Sequence, residues 1–414
     1  MMAYEFSKTS LHKEGDRYML EAWFTEMVKG IGKLFLNPLL YWAIFLIVLA
    51  GMQRIKRERK DFGIKLFDVF SEWKYTWATS IILGVIISAL TIGLGIVFSY
   101  STVLLLCLVT ILVSITGKFS FLSASYTFGI TYVLLLFLPF LLEKQDFIPN
   151  DLFSSVDYSG FTVLLAMLLF AESMLLLQAR KGPTYPELTS GNRGGWVGQH
   201  HIRKMSIIPF FILIPSGSIA PFAAYWPYFT VGGESYSLLL VPFIVGFNHL
   251  VRGSDPVRAA GKLANTTLAL SIVIWICAFI SIYYPWFSAV GIISAIVGRE
   301  FINYRHRSMD QQKTGFFQTS DKGLKVLAVL PGSPADRLEI VAGETITKVN
   351  GNKIYSLTAF YEALQESGAY FKLELLDKAG ENRFLQGALY EGDHHELGII
   401  FTSNPHRKKE KEIV

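Results

Sequence analysis

Long apolar runs alternate with short polar clusters from about residue 34 to residue 298, and then the pattern changes. The runs cover roughly 34–52, 76–98, 101–116, 120–142, 160–179, 206–229, 236–251, 263–283 and 285–298. A helix needs about 20 apolar residues to cross the hydrocarbon core, so these runs predict a multi-pass α-helical membrane domain over 34–298, with about seven to nine helices. Thr76–Thr116 carries no charge and is too long for one crossing; "SYS" at Ser99–Ser101 divides it. "YYPW" at Tyr283–Trp286 places a proline turn between two further helices. Ahead of the first run lies an N-terminal tail, 1–33, in which the stretch from Tyr18 to Phe35 reads as an interfacial helix. Polar Ser7–Arg17, with no small-residue cleavage site after the first apolar run, argues against a signal peptide.

From Arg299 the charge is spread as in a soluble domain. Residues 299–314 read as a linker, 315–402 as a compact α+β unit and 403–414 as a charged tail. "GLKVLAVL" is a short strand followed by a "PGSP" turn. "ETITKVNGNKI" alternates as two strand pieces around an Asn350–Gly351 turn. "SLTAFYEALQES" is an amphipathic helix with Ser356 as its N-cap. "YFKLELLD" and "ENRFLQGAL" are two more strands, joined by a turn at Lys378–Gly380.

This order, with "PGSPA" at Pro331–Ala335 and "AGETITKVNG" at Ala342–Gly351, resembles the PDZ family in its circularly permuted bacterial arrangement. Glu339 stands where that family usually has Gly, and Glu344 where it usually has Asp. The resemblance implies a partner: a peptide strand or free C-terminus added to a sheet edge, its carboxylate held by backbone amides. "ELGIIF" at Glu396–Phe401 has the family's apolar-Gly-apolar pattern, which implies Leu397, Gly398, Ile399 and Ile400 as that loop and its strand. Ala359, Phe360 and Ala363 on the preceding helix would line the groove. "TGFFQT" at Thr314–Thr319 competes for the loop, and "LGIIF" as a plain core strand is the alternative to both.

Charge orients the membrane domain. The loops holding Arg54–Lys60, Lys118, Arg180–Lys204, Arg252–Lys262 and Arg299–Arg307 carry nearly all of its Lys and Arg, whereas the alternating loops carry only Lys144. The bias puts the basic loops and the C-terminal unit in the cytoplasm. "RIKRERK" at Arg54–Lys60 is also a candidate contact for anionic lipid. Only 17% of the 414 residues are charged, below the roughly 25% of soluble domains, which agrees with a chain mostly in the bilayer. Cys107 and Cys277 each lie within an apolar run and offer neither a disulfide framework nor metal-ligand spacing. No metal or cofactor is implied.

Three polar groups stand out within the apolar runs. Glu172, in "LLFAESMLLLQ", requires a partner or a proton. Asn248 and His249, in "VGFNHLV", lie near the cytoplasmic end of another run; an interhelical hydrogen bond, a kink near that end and a proton relay are the readings. Ser216 and Ser218 in "IPSGSIAP", taken with His249, raise an intramembrane serine protease, but the Gly-x-Ser-Gly context is missing. The His-Glu-x-x-His zinc motif of PDZ-bearing membrane proteases is missing as well: "QHHIRK" and "DHHE" have the wrong spacing.

A multi-pass body followed by one PDZ-like unit resembles the MinJ-type cell-division proteins of Gram-positive rod-shaped bacteria. "GIGKLFLNPLLYWAIFLIVLAG" resembles the family's first membrane segment, and Tyr185–Gly217 its central loop and next crossing. The resemblance implies a non-enzymatic scaffold for division-site selection that bridges the polar and septal protein DivIVA to the membrane ATPase MinD. It also implies enrichment at poles and septa. The alternatives are a PDZ-containing intramembrane protease or protease regulator, and a transporter with a regulatory PDZ domain.

Overall fold

The computed structural model describes residues 19–142, 153, 156–191, 195–223, 225–230, 232–318, 322–366, 368, 370–390 and 397–402. Residues 19–34 are helical (α1). Asn37 then caps α2 (Pro38–Phe62), its side chain accepting from the Leu39 N–H. A short α3 (Ser71–Lys74) leads into α4 (Trp77–Leu94), α5 (Tyr100–Ile115), α6 (Ala124–Leu142) and α7 (Tyr158–Gln178). Three strands follow: β1 (Tyr185–Ser190), β2 (Trp196–Ile219) and β3 (Tyr236–Val251). Next come α8 (Pro256–Tyr283) and α9 (Phe287–Gln311), separated by the expected proline turn. Five of these helices, α2, α4, α6, α7 and α8, are long and apolar enough to cross a membrane, and α5 is a shorter apolar helix. Helix α9 continues to Gln311, so most of 299–314, read as a linker, extends a helix.

The largest correction concerns the apolar runs 206–229 and 236–251. They are not helices but the paired strands β2 and β3, in register from His200↔Val251 to Pro215↔Tyr236. Prolines explain the preference. Pro209, Pro215 and Pro242 would each remove a helical hydrogen bond, and Pro209 and Pro242 sit opposite one another in the ladder. Both faces of the hairpin are buried, so its strands lack polar alternation and match a helix in length and apolarity.

Strand edges at membrane depth must find partners inside the protein. Helix α4 supplies them along β2. The Phe211 N–H donates to Ser88 Oγ at 2.9 Å, and Thr91 Oγ1 donates to the Phe211 carbonyl at 2.6 Å. Gly84 lets the helix lie on the strand: a Cβ there would stand 2.1 Å from the Pro209 carbonyl oxygen. Beyond α4, the Phe98 N–H reaches the Leu213 carbonyl at 2.9 Å. Helix α1 closes the far end of the hairpin, where Glu26 accepts from Ser218 and Ser237.

The C-terminal unit contains β4 (Leu324–Val329), α10 (Pro334–Arg337), β5 (Thr345–Val349), β6 (Asn352–Lys353), α11 (Leu357–Glu366), β7 (Tyr370–Leu376), β8 (Asn382–Ala388) and β9 (Ile399–Phe401). The sheet runs β8-β7-β5-β4-β9, with β6 paired to β5, so the last strand lies beside the first. Asn350 and Gly351 both have positive φ, 50° and 87°, as a type I′ turn requires. Ser356 caps α11 by accepting from the Ala359 N–H. The two departures from the PDZ pattern have local explanations. Glu339 has φ 55°, a conformation that glycine adopts without strain. Glu344 is buried; it accepts from the Val341 N–H at 3.0 Å and from Arg383 Nη1 at 3.0 Å.

Candidate functional site

The candidate site is the open edge of β9. Leu397 and Gly398 precede the strand with φ 58° and 74°. Their carbonyls are anchored: the Ala335 N–H donates to Leu397 and the Leu330 N–H to Gly398, at 3.0 and 2.8 Å. In a trans peptide the N–H lies opposite the C=O. The Gly398 N–H therefore points away from α10, and the Ile399 N–H away from the end of β4. Successive amides left unpaired in this way are the kind of feature that receives an anion. The glycine has a second reason: a Cβ at Gly398 would stand 2.3 Å from Ser333 Cβ.

Among the described residues β9 pairs only with β4, so its other edge is free. Helix α11 flanks it, with the Phe360 and Phe401 ring centroids 5.0 Å apart. Phe360 and Ala363 are buried in the core of the unit, and of the three helix candidates only Ala359 keeps exposed surface. Leu397 and Ile399 are buried in the same core. Ile400 points to the opposite sheet face. There it packs with Leu327, Phe317, Leu188 and Trp196.

That second contact holds the unit against the end of the β1-β2-β3 sheet. Phe317, in the competing "TGFFQT" stretch, is fully buried, bridges to Gly198 and stacks on His200 at 4.5 Å. Lys378 Nζ reaches Asp255 at 2.7 Å. His200 Nε2 lies 2.9 Å from the Leu327 carbonyl, and its Nδ1 2.8 Å from Thr184 Oγ1. The carbonyl can only accept, so Nε2 carries the proton and Nδ1 accepts from the threonine. Burial pushes the His200 pKa down to about 4, although the Leu327 carbonyl favours the protonated form.

Docking should therefore depend on pH. With its ring exposed to solvent on undocking, His200 would return toward the ordinary imidazole value of 6.5, against about 4 when docked. Between those values the undocked form binds more protons, so docking weakens as pH falls through 6.5. The loss levels off near pH 4, at about 3 kcal/mol. Limited proteolysis within 312–318, the stretch that carries Phe317, should accelerate from about pH 7.5 to about pH 5, and His200→Gln should flatten that difference.

The polar groups in the apolar runs are not brought together as one site. Glu172 and Arg299 are both fully buried, with Arg299 Nη2 2.7 Å from Glu172 Oε1. Ser123 Oγ donates to the other carboxylate oxygen at 2.7 Å. Asn248 Oδ1 contacts His201 Nδ1 at 3.0 Å, and its carbonyl accepts from Ser120. His249 is buried beside Phe247 and His306. Ser216 and Ser218 lie at the far end of the hairpin, whereas His249 is opposite Ile202. At about 3.3 Å per residue roughly 45 Å separates them, so they form no catalytic pair. Among the described residues no group of three His, Cys, Asp or Glu is placed to hold a metal. The "DHHE" stretch lies outside the described residues.

Sequence reasoning missed two clusters at the basic end. Arg54 is buried between Glu58 and Glu72, at 2.6 and 2.9 Å. Glu187 joins His201 and Arg57. Burial opposes its charge, but His201 and Arg57 outweigh that and hold its pKa at about 2. The "RIKRERK" run is thus partly internal, leaving Lys56, Arg59 and Lys60 on the surface. The clustered charges were visible in the sequence; their partners, up to 144 positions away, were not.

The PDZ-domain family profile matches residues 325–376, from β4 through β7, and stops short of β8 and β9. The chain is 32% identical to "Cell division topological determinant MinJ" of Bacillus subtilis (strain 168), over 92% of this chain and 96% of that protein. It is 30% identical to "Probable cell division topological determinant MinJ" of Lacticaseibacillus paracasei, over 20% and 22% of the two chains. With the match to the Bacillus protein running through the membrane body and the PDZ domain alike, this chain belongs to the MinJ family of cell-division topological determinants.

Proposed function

We propose that this protein is a non-enzymatic membrane scaffold for division-site selection, bridging a DivIVA-like protein at poles and septa to a MinD-like ATPase. The carrying observation is the similarity to a division determinant along nearly the whole chain. The charge bias supports a cytoplasmic PDZ domain. The free edge of β9, with its outward amides beside α11, supports capture of a peptide strand or C-terminus there. In this reading the strand-and-loop segment at the chain's end completes a circularly permuted PDZ groove.

A fluorescently tagged chain should concentrate at septa and poles, and its deletion should give filaments or minicells. Uniform membrane fluorescence with normal division would remove the proposal. A transporter is the second reading, motivated by Glu172. Its full burial against Arg299 supports a structural role instead. Protease regulation through the PDZ groove is tested by whether a protease co-purifies with the chain.

A further inference from the structure

A cavity lies in the membrane body, away from the PDZ edge. It measures about 580 Å³ and opens between α8 and α9 near their basic ends. That is within the roughly 300–1,000 Å³ of small-molecule sites. Its two ends differ in chemistry. Deeper in the apolar part of the helix pair, Leu270, Val273, Gly298, Phe301 and Ile302 line it. Toward the basic end, Lys262, Arg305 and Lys313 line it.

Among the described residues no carboxylate pairs with Lys262, Arg305 or Lys313. Of the two acids on α9, Asp310 also lines the cavity, where its carboxylate accepts from the Arg252 and Gly253 N–H groups, and Glu300 accepts from Tyr126. Lys262, Arg305 and Lys313 are all exposed. Phe301 on the groove wall is 59% exposed, which suits contact with acyl chain and not with water. The cavity is thus an apolar slot along two adjacent helices, with three cations at one end that are unpaired among the described residues.

We infer that this groove binds one anionic glycerophospholipid of the basic-side leaflet. Its phosphate meets Lys262, Arg305 and Lys313, and an acyl chain lies along Leu270, Val273 and Phe301. The assignment differs from the basic run at Arg54–Lys60, whose Arg54 is turned inward. It is also independent of what the PDZ domain binds.

The test uses the purified full chain in neutral detergent, with retained lipid counted by native mass spectrometry. The probes are dioleoyl phosphatidylglycerol, dioleoyl phosphatidylcholine and glycerol 3-phosphate. Wild type should retain phosphatidylglycerol at least tenfold better than phosphatidylcholine and should not retain glycerol phosphate. The double variant Lys262→Gln/Arg305→Gln should lower phosphatidylglycerol affinity roughly twenty- to thirtyfold, from about fivefold per charge, and leave phosphatidylcholine unchanged. Ala269→Trp, at an exposed position on the groove wall, should block both lipids. Equal retention of the two lipids by wild type would overturn the inference, as would undiminished phosphatidylglycerol binding by the double variant. Glycerol phosphate binding as tightly as the lipid would reassign the cations to a soluble anion.

Discussion

Replacing Arg299 by Met should destabilise the membrane body by about 3–5 kcal/mol, among the largest effects expected from any single substitution here. The reason is the environment of its partner. Glu172 is fully buried, and without Arg299 its charge keeps, among the described residues, only Ser123 as a donor. Glu172→Ala should cost a similar amount by stranding the guanidinium, which among the described residues otherwise has only Thr267 Oγ1 at 3.4 Å. The double variant Glu172→Gln/Arg299→Met should recover most of the loss, because desolvation of both ions is then relieved. Thermal unfolding of the detergent-purified variants, arranged as a double-mutant cycle, measures the coupling. Additive losses would show that the two groups do not act as a pair. The same series addresses transport: Glu172→Gln/Arg299→Met that folds and complements a deletion would leave the carboxylate without a catalytic or conducting role.

Gly398→Ala is expected to disable the PDZ edge while leaving the membrane body intact. Alanine meets two penalties there. Its φ of 74° costs a non-glycine residue roughly 1–2 kcal/mol, and its Cβ would collide with Ser333 Cβ. Ser333 cannot easily yield, because its hydroxyl caps α10 by accepting from the Asp336 N–H. The loop would have to shift, and the outward amides of Gly398 and Ile399 would turn with it. The expected result is at least a tenfold loss of partner retention in a membrane pull-down, with expression and membrane insertion unchanged. Ser333→Gly combined with Gly398→Ala removes the collision and should restore part of the binding.

The helices were legible in the sequence because a bilayer demands length and apolarity, and both can be read without partners. The hairpin was not. Strands buried on both faces show no alternation, so Ile207–Ile214 looks like any apolar crossing. Pro209, Pro215 and Pro242 were the available signal. Their meaning depends on α4, whose Ser88, Thr91 and Gly84 accommodate a strand edge at that depth. A hairpin, like a pair of helices, returns the chain to the side it left, so the expected sense of the other crossings does not depend on this correction.

The PDZ domain was legible for the opposite reason: its turns demand particular residues. Asn350–Gly351 and the Ser356 cap report local backbone geometry directly. Even Glu339, a departure from pattern, falls where the backbone takes a positive φ. The docking of this domain on β2 was invisible. It joins His200 to Leu327 and Gly198 to Phe317, segments more than a hundred positions apart, and no periodicity encodes such a contact. Ile400 illustrates the cost. Sequence pattern placed it in the ligand strand, while its side chain serves the contact with the membrane body.

The central claim is that this membrane body presents the β9 edge as a docking site for division proteins. The most direct measurement is a membrane pull-down of the full chain beside Gly398→Ala and a form lacking 315–414, with co-purified proteins identified by mass. DivIVA-like and MinD-like proteins should accompany the full chain, and at least one should be lost from both altered forms. An identical set of partners in all three would contradict that claim.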